Sequence, residues 1–319
     1  MPTSACFVAV HVAPSSHRQR PRSPRHPVRR RALEDAGEVL PERMLRFASW
    51  VGGDMDGNPN VDASTIRDTL AHHRKRVLEL YREELHELFE HLSHSERYIT
   101  PSAAVRERIA RYSRDAGERF NPPERYQDMP YRNYVWLLWH RVGSMLAGQG
   151  AGYAGPQELI EDLELLRASL DAHGGTGSAR VANFVRRVRT FGFHLATLDV
   201  RQDSAEHRAA VGAALGRVDF PTLQAAQRLA LLHETLAGDV DPHPPQAGDD
   251  DALTRSINVM RAIDECRGSH GDAAIGGYII SMAEDALVHA AAAARPAPVR
   301  LSVFHGRGGT VSRGMQNAG

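Results

Sequence analysis

The run His305-Gly306-Arg307-Gly308-Gly309-Thr310 has the residue types of an anion-binding turn. Glycines such as Gly308 and Gly309 let a backbone approach a phosphate closely and aim its amide N–H groups at it. Arg307 and Arg313 add forked donors that match phosphate or carboxylate oxygens. His305 can hold or move a proton near neutral pH. The run is not a P-loop, because no Lys-Ser/Thr pair closes it. Anion binding is favoured here over an ordinary glycine-rich turn with exposed arginines.

A second candidate, Arg201-Gln202-Asp203-Ser204, stands at the end of an expected strand. A basic side chain there can reach a central site, but on residue chemistry alone the simpler expectation is an ion pair of Arg201 with Asp203 or Glu206. The stretch Gly52-Gly53-Asp54-Met55-Asp56-Gly57-Asn58-Pro59-Asn60 resembles a calcium loop at first sight. Pro59 stands where the turn glycine belongs and Thr65 where a bidentate Glu is needed. A tight Asx/Gly turn is expected instead, with Asp54 and Asp56 in local hydrogen bonds. His86 and His91 lie about 140° apart on a helix, so they cannot share a ligand face. His72 and His73 are adjacent and expected on the surface. No metal-ligating set emerges.

The elements that must position these residues are mostly helical. Ile66, Leu70, Val77, Tyr81, Leu85, Leu88 and Leu92 form an apolar stripe on one helix, capped by Asp62 or Ser64. Thr100-Pro101 opens another. Tyr131–Leu146, Gln157–Leu170 and Ser178–Thr190 follow, then Ala205–Leu215, Pro221–Leu236 and Ala252–Cys266. Strands are expected at His194–Arg201, Gly277–Met282 and Val299–Phe304. Residues 239–251 read as a solvated loop, and no internal repeat is present. Strands that end in polar or glycine-rich turns and alternate with helices suggest a barrel-like site at the strand ends.

The chain has 319 residues, 42% of them hydrophobic, enough for a sizeable core. Lys+Arg and Asp+Glu are equal at 39, a net charge of +0 that gives no general pull toward nucleic acid or an anionic membrane. Cys6 and Cys266, far apart, suggest neither a disulfide framework nor a zinc knuckle; a reducing, cytoplasmic setting is the expectation. No apolar run reaches the ~20 residues that span a bilayer. The first stretch differs from the rest. Residues 1–33 lack Asp and Glu, while seven arginines from Arg18 to Arg31 lie among Pro21, Pro24 and Pro27. A transit peptide is one reading. The prolines break the amphipathic helix it needs, so a disordered Arg/Pro-rich tail over 1–40 is expected, ahead of one domain over 41–319.

Together these pieces resemble the phosphoenolpyruvate carboxylase family. Phe47-Ala48-Ser49-Trp50-Val51-Gly52-Gly53-Asp54-Met55-Asp56-Gly57-Asn58-Pro59 is similar to its FxxWxGGDxDGNP signature. Leu198–Ser204 is similar to its LDxRQxS strand, Tyr278–Met282 to its YxISM strand, and Phe304–Thr310 to its FHGRGG loop. The four occur in the family's order. The resemblance implies a mostly α-helical fold around a central β-barrel, here partial. It implies a carboxy-lyase reaction: phosphoenolpyruvate and bicarbonate give oxaloacetate and phosphate, with magnesium or manganese. This is anaplerotic carbon fixation that feeds the tricarboxylic acid cycle. In that scheme carboxyphosphate forms beside the enolate of pyruvate, and the released carbon dioxide is captured. By motif, Arg201 and Arg307 would hold phosphate and His305 would sit beside the reacting groups. Trp50 would border the substrate, with Gly308 and Gly309, and Arg313 would line the loop's substrate or inhibitor edge. The ending Gly314-Met315-Gln316-Asn317-Ala318-Gly319 resembles the family's GMxNTG tail, so Asn317 would join Arg313 in binding the inhibitor aspartate. A homo-oligomer is implied as well.

The departures bear on activity. Members of that family are several times longer. The upstream TAHPT segment is absent, and so are PLFET and GYSDS, whose Glu and Asp hold the metal. Only Ala283–Arg300 separates Met282 from the next strand. A shortened family member, inactive by itself, is therefore expected. The alternatives are an enzyme that keeps activity, and a non-catalytic phosphate- or acid-binding remnant or subunit-interaction module.

Overall fold

The computed structural model describes residues 6–12, 46–150, 152–238, 251–282 and 299–305. The fold is mostly helical, as expected, with a small sheet. In chain order come β1 (Cys6–Val12), β2 (Ala48–Ser49), α1 (Ala63–His91), α2 (Ala103–Ala116), α3 (Pro130–Leu146), α4 (Pro156–Asp171) and α5 (Ser178–Phe191). Then follow β3 (Thr197–Asp203), α6 (Ser204–Ala214), α7 (Ala225–Leu236), α8 (Ala252–His270), β4 (Ile275–Ser281) and β5 (Val299–His305). One domain is expected over 41–319; the described residues form two compact units. Unit 1 holds the sheet with residues 48–70 and 197–282, and unit 2 holds residues 71–196.

Unit 2 is built on helices. α3 is buried nearly all round through Tyr131, Tyr134, Val135, Leu137, Leu138 and Val142, and Pro130 at its first turn costs no hydrogen bond. Against it pack Tyr81, Leu85 and Leu88 of α1, Leu163 and Leu166 of α4, and Phe184 and Val188 of α5. Every residue of the predicted α1 stripe is buried. Its first two members, Ile66 and Leu70, serve the core of unit 1 instead, with Leu198, Val200, Val259 and Ile263. Asp62 caps α1 by accepting from the Thr65 N–H at 2.9 Å.

Three of the boundaries that differ from the expectation have a local physical cause. The cap of α2 is Ser102, which accepts from the Val105 N–H at 3.3 Å, so Thr100-Pro101 lies outside the helix. The strand expected from His194 begins at Thr197, because His194–Ala196 turn back on α5. The Leu195 N–H reaches the Phe191 carbonyl at 2.9 Å, and Leu195 takes φ 63°. The helix expected from Pro221 starts at Ala225, behind a capping box of Gln224 and Gln227.

The sheet has the order β2-β3-β4-β1-β5. β2 and β4 run parallel to β3, while β1 runs antiparallel to both β4 and β5. The expected barrel is not shown: the described strands form an open sheet. Within the stretch expected to be a disordered tail, Cys6–Val12 departs from that expectation and forms β1.

Candidate functional site

Two glycines bring the Asp54 loop onto β3. Gly52 has φ 86°, and a Cβ there would collide with Thr69. A Cβ on Gly53 would collide with the carbonyl oxygen of Asp199. Without side chains at these positions the loop lies along the strand as an extra short pairing. The Arg201 N–H donates to the Gly53 carbonyl and the Met55 N–H to the Arg201 carbonyl, both at 2.8 Å. Asp54 thereby sits directly beside Arg201.

The side chains follow from that backbone. Arg201 Nε and Nη2 donate to Asp54 Oδ1 and Oδ2 at 2.7 and 2.8 Å, a bidentate pair. Asp56 Oδ2 lies 3.5 Å from Nη2. The Trp50 ring covers one face of the guanidinium, its centroid 4.9 Å from Cζ. The hydrogen bond to Asp54 holds the Arg201 pKa above its ordinary value, against the opposing effect of burial. Arg201 thus corrects two expectations. Its partners are Asp54 and Asp56, not Asp203 or Glu206, and those aspartates make a tertiary contact beyond their local turn. Asp203 instead caps α6, accepting from the Ala205 N–H at 2.7 Å. Glu206 accepts from Arg255 at 2.8 Å.

Around this pair the strand ends are tied together. The Ser204 hydroxyl donates to the Met282 carbonyl at 2.8 Å, and Ser281 Oγ donates to the Gln202 carbonyl at 3.2 Å. Beside them a cleft of about 320 Å³ is lined by Met55, Pro59, Gln202, Arg255 and Tyr278, among others. The Tyr278 hydroxyl is 3.2 Å from His207 Nε2. Burial pushes the His207 pKa down, and the charges of Glu206 and Asp203 oppose that shift.

β5 runs in the same direction as β3 and β4, since each of them is related to β1 or its neighbour through the pairings above. Gln202 is level with Ile280, Ile280 with Val8, and Val8 with Val303. His305, the last residue of β5, therefore lies at the same sheet end as Arg201. Three strand spacings separate β5 from β3, about 14 Å between backbones. The sheet brings the two positions to one edge but not side by side. Trp50 stands with Arg201. Arg307, Gly308, Gly309, Arg313 and Asn317 lie outside the described residues.

Among the described residues no group of three or more His, Cys, Asp or Glu is placed to hold a metal ion. Asp54 and Asp56 are turned onto Arg201, so these residues do not fit a magnesium or manganese site. No described helix is long and apolar enough to cross a membrane. Sequence reasoning missed Asp54 as the partner of Arg201, because a residue 147 positions away leaves no trace in local spacing.

A family model described as Phosphoenolpyruvate carboxylase matches residues 28–288. The chain is 43% identical over 261 residues to the phosphoenolpyruvate carboxylase of Xanthomonas euvesicatoria pv. vesicatoria (strain 85-10), covering 80% of this chain and 28% of that protein. It is 44% identical over 248 residues to that of Xanthomonas campestris pv. campestris (strain 8004), covering 76% and 27%. With that of Burkholderia mallei (strain SAVP1) the identity is 33% over 279 residues, covering 78% and 28%. The chain spans little more than a quarter of the length of these relatives.

Proposed function

This chain belongs to the phosphoenolpyruvate carboxylase family, and from that premise we propose that unit 1 carries part of that family's site, with Arg201 taking the phosphate of phosphoenolpyruvate. The observation that carries the reading is the fixed presentation of Arg201 at the C-terminal end of β3, beside Trp50. Phosphoryl chemistry needs preorganised positive charge around the phosphate oxygens. Asp54 and Asp56 offset the charge of Arg201, so anion binding there depends on further cations. Arg307 and Arg313 would supply these from the glycine-rich segment, with the Gly308 and Gly309 backbone closing on the phosphate. His305, at the same sheet end, would sit beside the reacting groups. Arg313 and Asn317 would serve an acidic effector.

For this chain by itself we propose phosphoenolpyruvate binding without carboxylation. A divalent cation would supply positive charge to the transferring phosphate, and the described residues offer no ligand set for one. Between β4 and β5 there are only residues 282–298, which contain neither metal-carrying stretch of the family. A cytoplasmic setting and assembly into a homo-oligomer belong to the same proposal. Calorimetric titration with phosphoenolpyruvate tests it. The expected result is saturable binding that weakens on the order of tenfold in Arg201→Lys, which loses the forked geometry. Equal affinity in the variant, or none in the wild type, contradicts the assignment of Arg201.

A further inference from the structure

We infer that Asp54 is a positioning residue that holds one edge of the Arg201 guanidinium so that the other edge meets an oxygen of a phosphate or carboxylate. The inference rests on the reading of Arg201 as an anion-binding residue and adds how that residue is aimed.

A guanidinium has five N–H donors in one plane. Asp54 occupies the Nε/Nη2 edge with both carboxylate oxygens, at 2.7 and 2.8 Å. Asp56 stands 3.5 Å from the same Nη2. Trp50 covers one face of the plane. Among the described residues Nη1 donates to no neighbour, so the donors left for a ligand are on Nη1. The side chain is also only 19% exposed, which confines it to that orientation.

A purely structural ion pair does not account for this arrangement. Two backbone hydrogen bonds, each 2.8 Å, already fasten the loop to β3 at Gly53 and Met55. They also set Asp54 and Arg201 side by side before any side chain is placed, so the pair costs little ordering entropy. Nor is the arrangement an electrostatic attractor. One arginine with two aspartates leaves the trio with net negative charge, so a bound anion gains from the direction of the Nη1 donors. Lysine cannot divide its donors in this way, since its single nitrogen would stay with the carboxylates.

The test uses the full chain with ¹⁵N-labelled arginine. The Nε–H resonance of Arg201 is assigned by its loss in Arg201→Lys. A slowly exchanging Nε–H is expected in the wild type, and its protection is expected to vanish in Asp54→Asn and Asp54→Ala. Asp54→Glu, which keeps the charge, serves as the rescue variant and is expected to restore part of the protection. Inorganic phosphate is then added. It is expected to move the wild-type Arg201 resonance and to bind about tenfold more weakly to Asp54→Asn, the scale of one charge-assisted hydrogen bond. Unchanged or tighter phosphate binding by Asp54→Asn overturns the inference and makes Asp54 a competitor for the arginine. So does Nε–H protection that survives the loss of Asp54. A wild-type resonance that phosphate leaves unmoved sinks the anion-binding reading of Arg201 itself, and the aiming role with it.

Discussion

The Asp162 side chain has no exposed surface, and its neighbours satisfy it in an asymmetric way. The Tyr112 and Tyr153 hydroxyls donate to Oδ2 at 2.8 and 3.1 Å, while Arg108 Nη1 lies 3.3 Å from Oδ1. Burial is the largest influence and raises the Asp162 pKa, against the hydrogen bond from Tyr112 and the charge of Arg108. A carboxylate raised in the folded state binds more protons there than when unfolded. Its contribution is fully present below the unfolded value of about 3.9 and is lost as pH rises through the higher folded value. Asp162→Asn keeps an acceptor and removes the titration, so that slope is expected to disappear from its stability–pH profile. Asp162→Ala strands Arg108 and two tyrosine hydroxyls, at a cost of about 3 kcal/mol. Urea unfolding between pH 4 and 7 checks both; parallel profiles for wild type and Asp162→Asn would contradict the account. None of this was legible in the sequence, where Asp162 is one acidic residue among several on α4. The chemistry of Arg201 was legible and its partner was not, because β3 and the Asp54 loop meet only in the fold.

At the scale of elements, the apolar stripe of α1 named its buried residues correctly, since periodicity records burial directly. Boundaries were less legible where a turn borrows residues from a neighbour, as His194–Ala196 do between α5 and β3. β2 is two residues long, too short for any alternation to show, and it exists because β3 pairs with it. The two glycines of the Asp54 loop make an element-level prediction. Gly53→Ala drives a Cβ against the Asp199 carbonyl, so it is expected to cost about 1–3 kcal/mol as an overpacked contact. Gly268 on α8 meets nothing within 4 Å, so Gly268→Ala is expected to stabilise by about 0.5 kcal/mol through helix propensity. Denaturant midpoints of the two variants distinguish the cases. A neutral Gly53→Ala would mean that the loop does not lie on β3.

The described residues form two cores with different tasks. Unit 2 is a helical body that buries a few polar groups, such as Asp162, in its core. Unit 1 combines a small open sheet with helices and places Arg201, Trp50 and the end of β5 at one end of the strands. The resemblance read from the sequence led to the family, and the relatives bear that out. It also led to a barrel, which five described strands do not close. The strand that lies between β4 and β5 comes from the chain's first residues, which composition alone marked as a tail. The short stretch between β4 and β5, which contains neither metal-carrying segment of the family, is the reason for proposing binding without turnover. The most direct test is oxaloacetate formation by the purified, folded chain with phosphoenolpyruvate, bicarbonate and magnesium, followed by NADH oxidation through malate dehydrogenase. The account predicts no turnover above background from a sample that still binds phosphoenolpyruvate. Turnover that disappears in Arg201→Lys and in His305→Ala would contradict it and show a complete catalytic site within this chain.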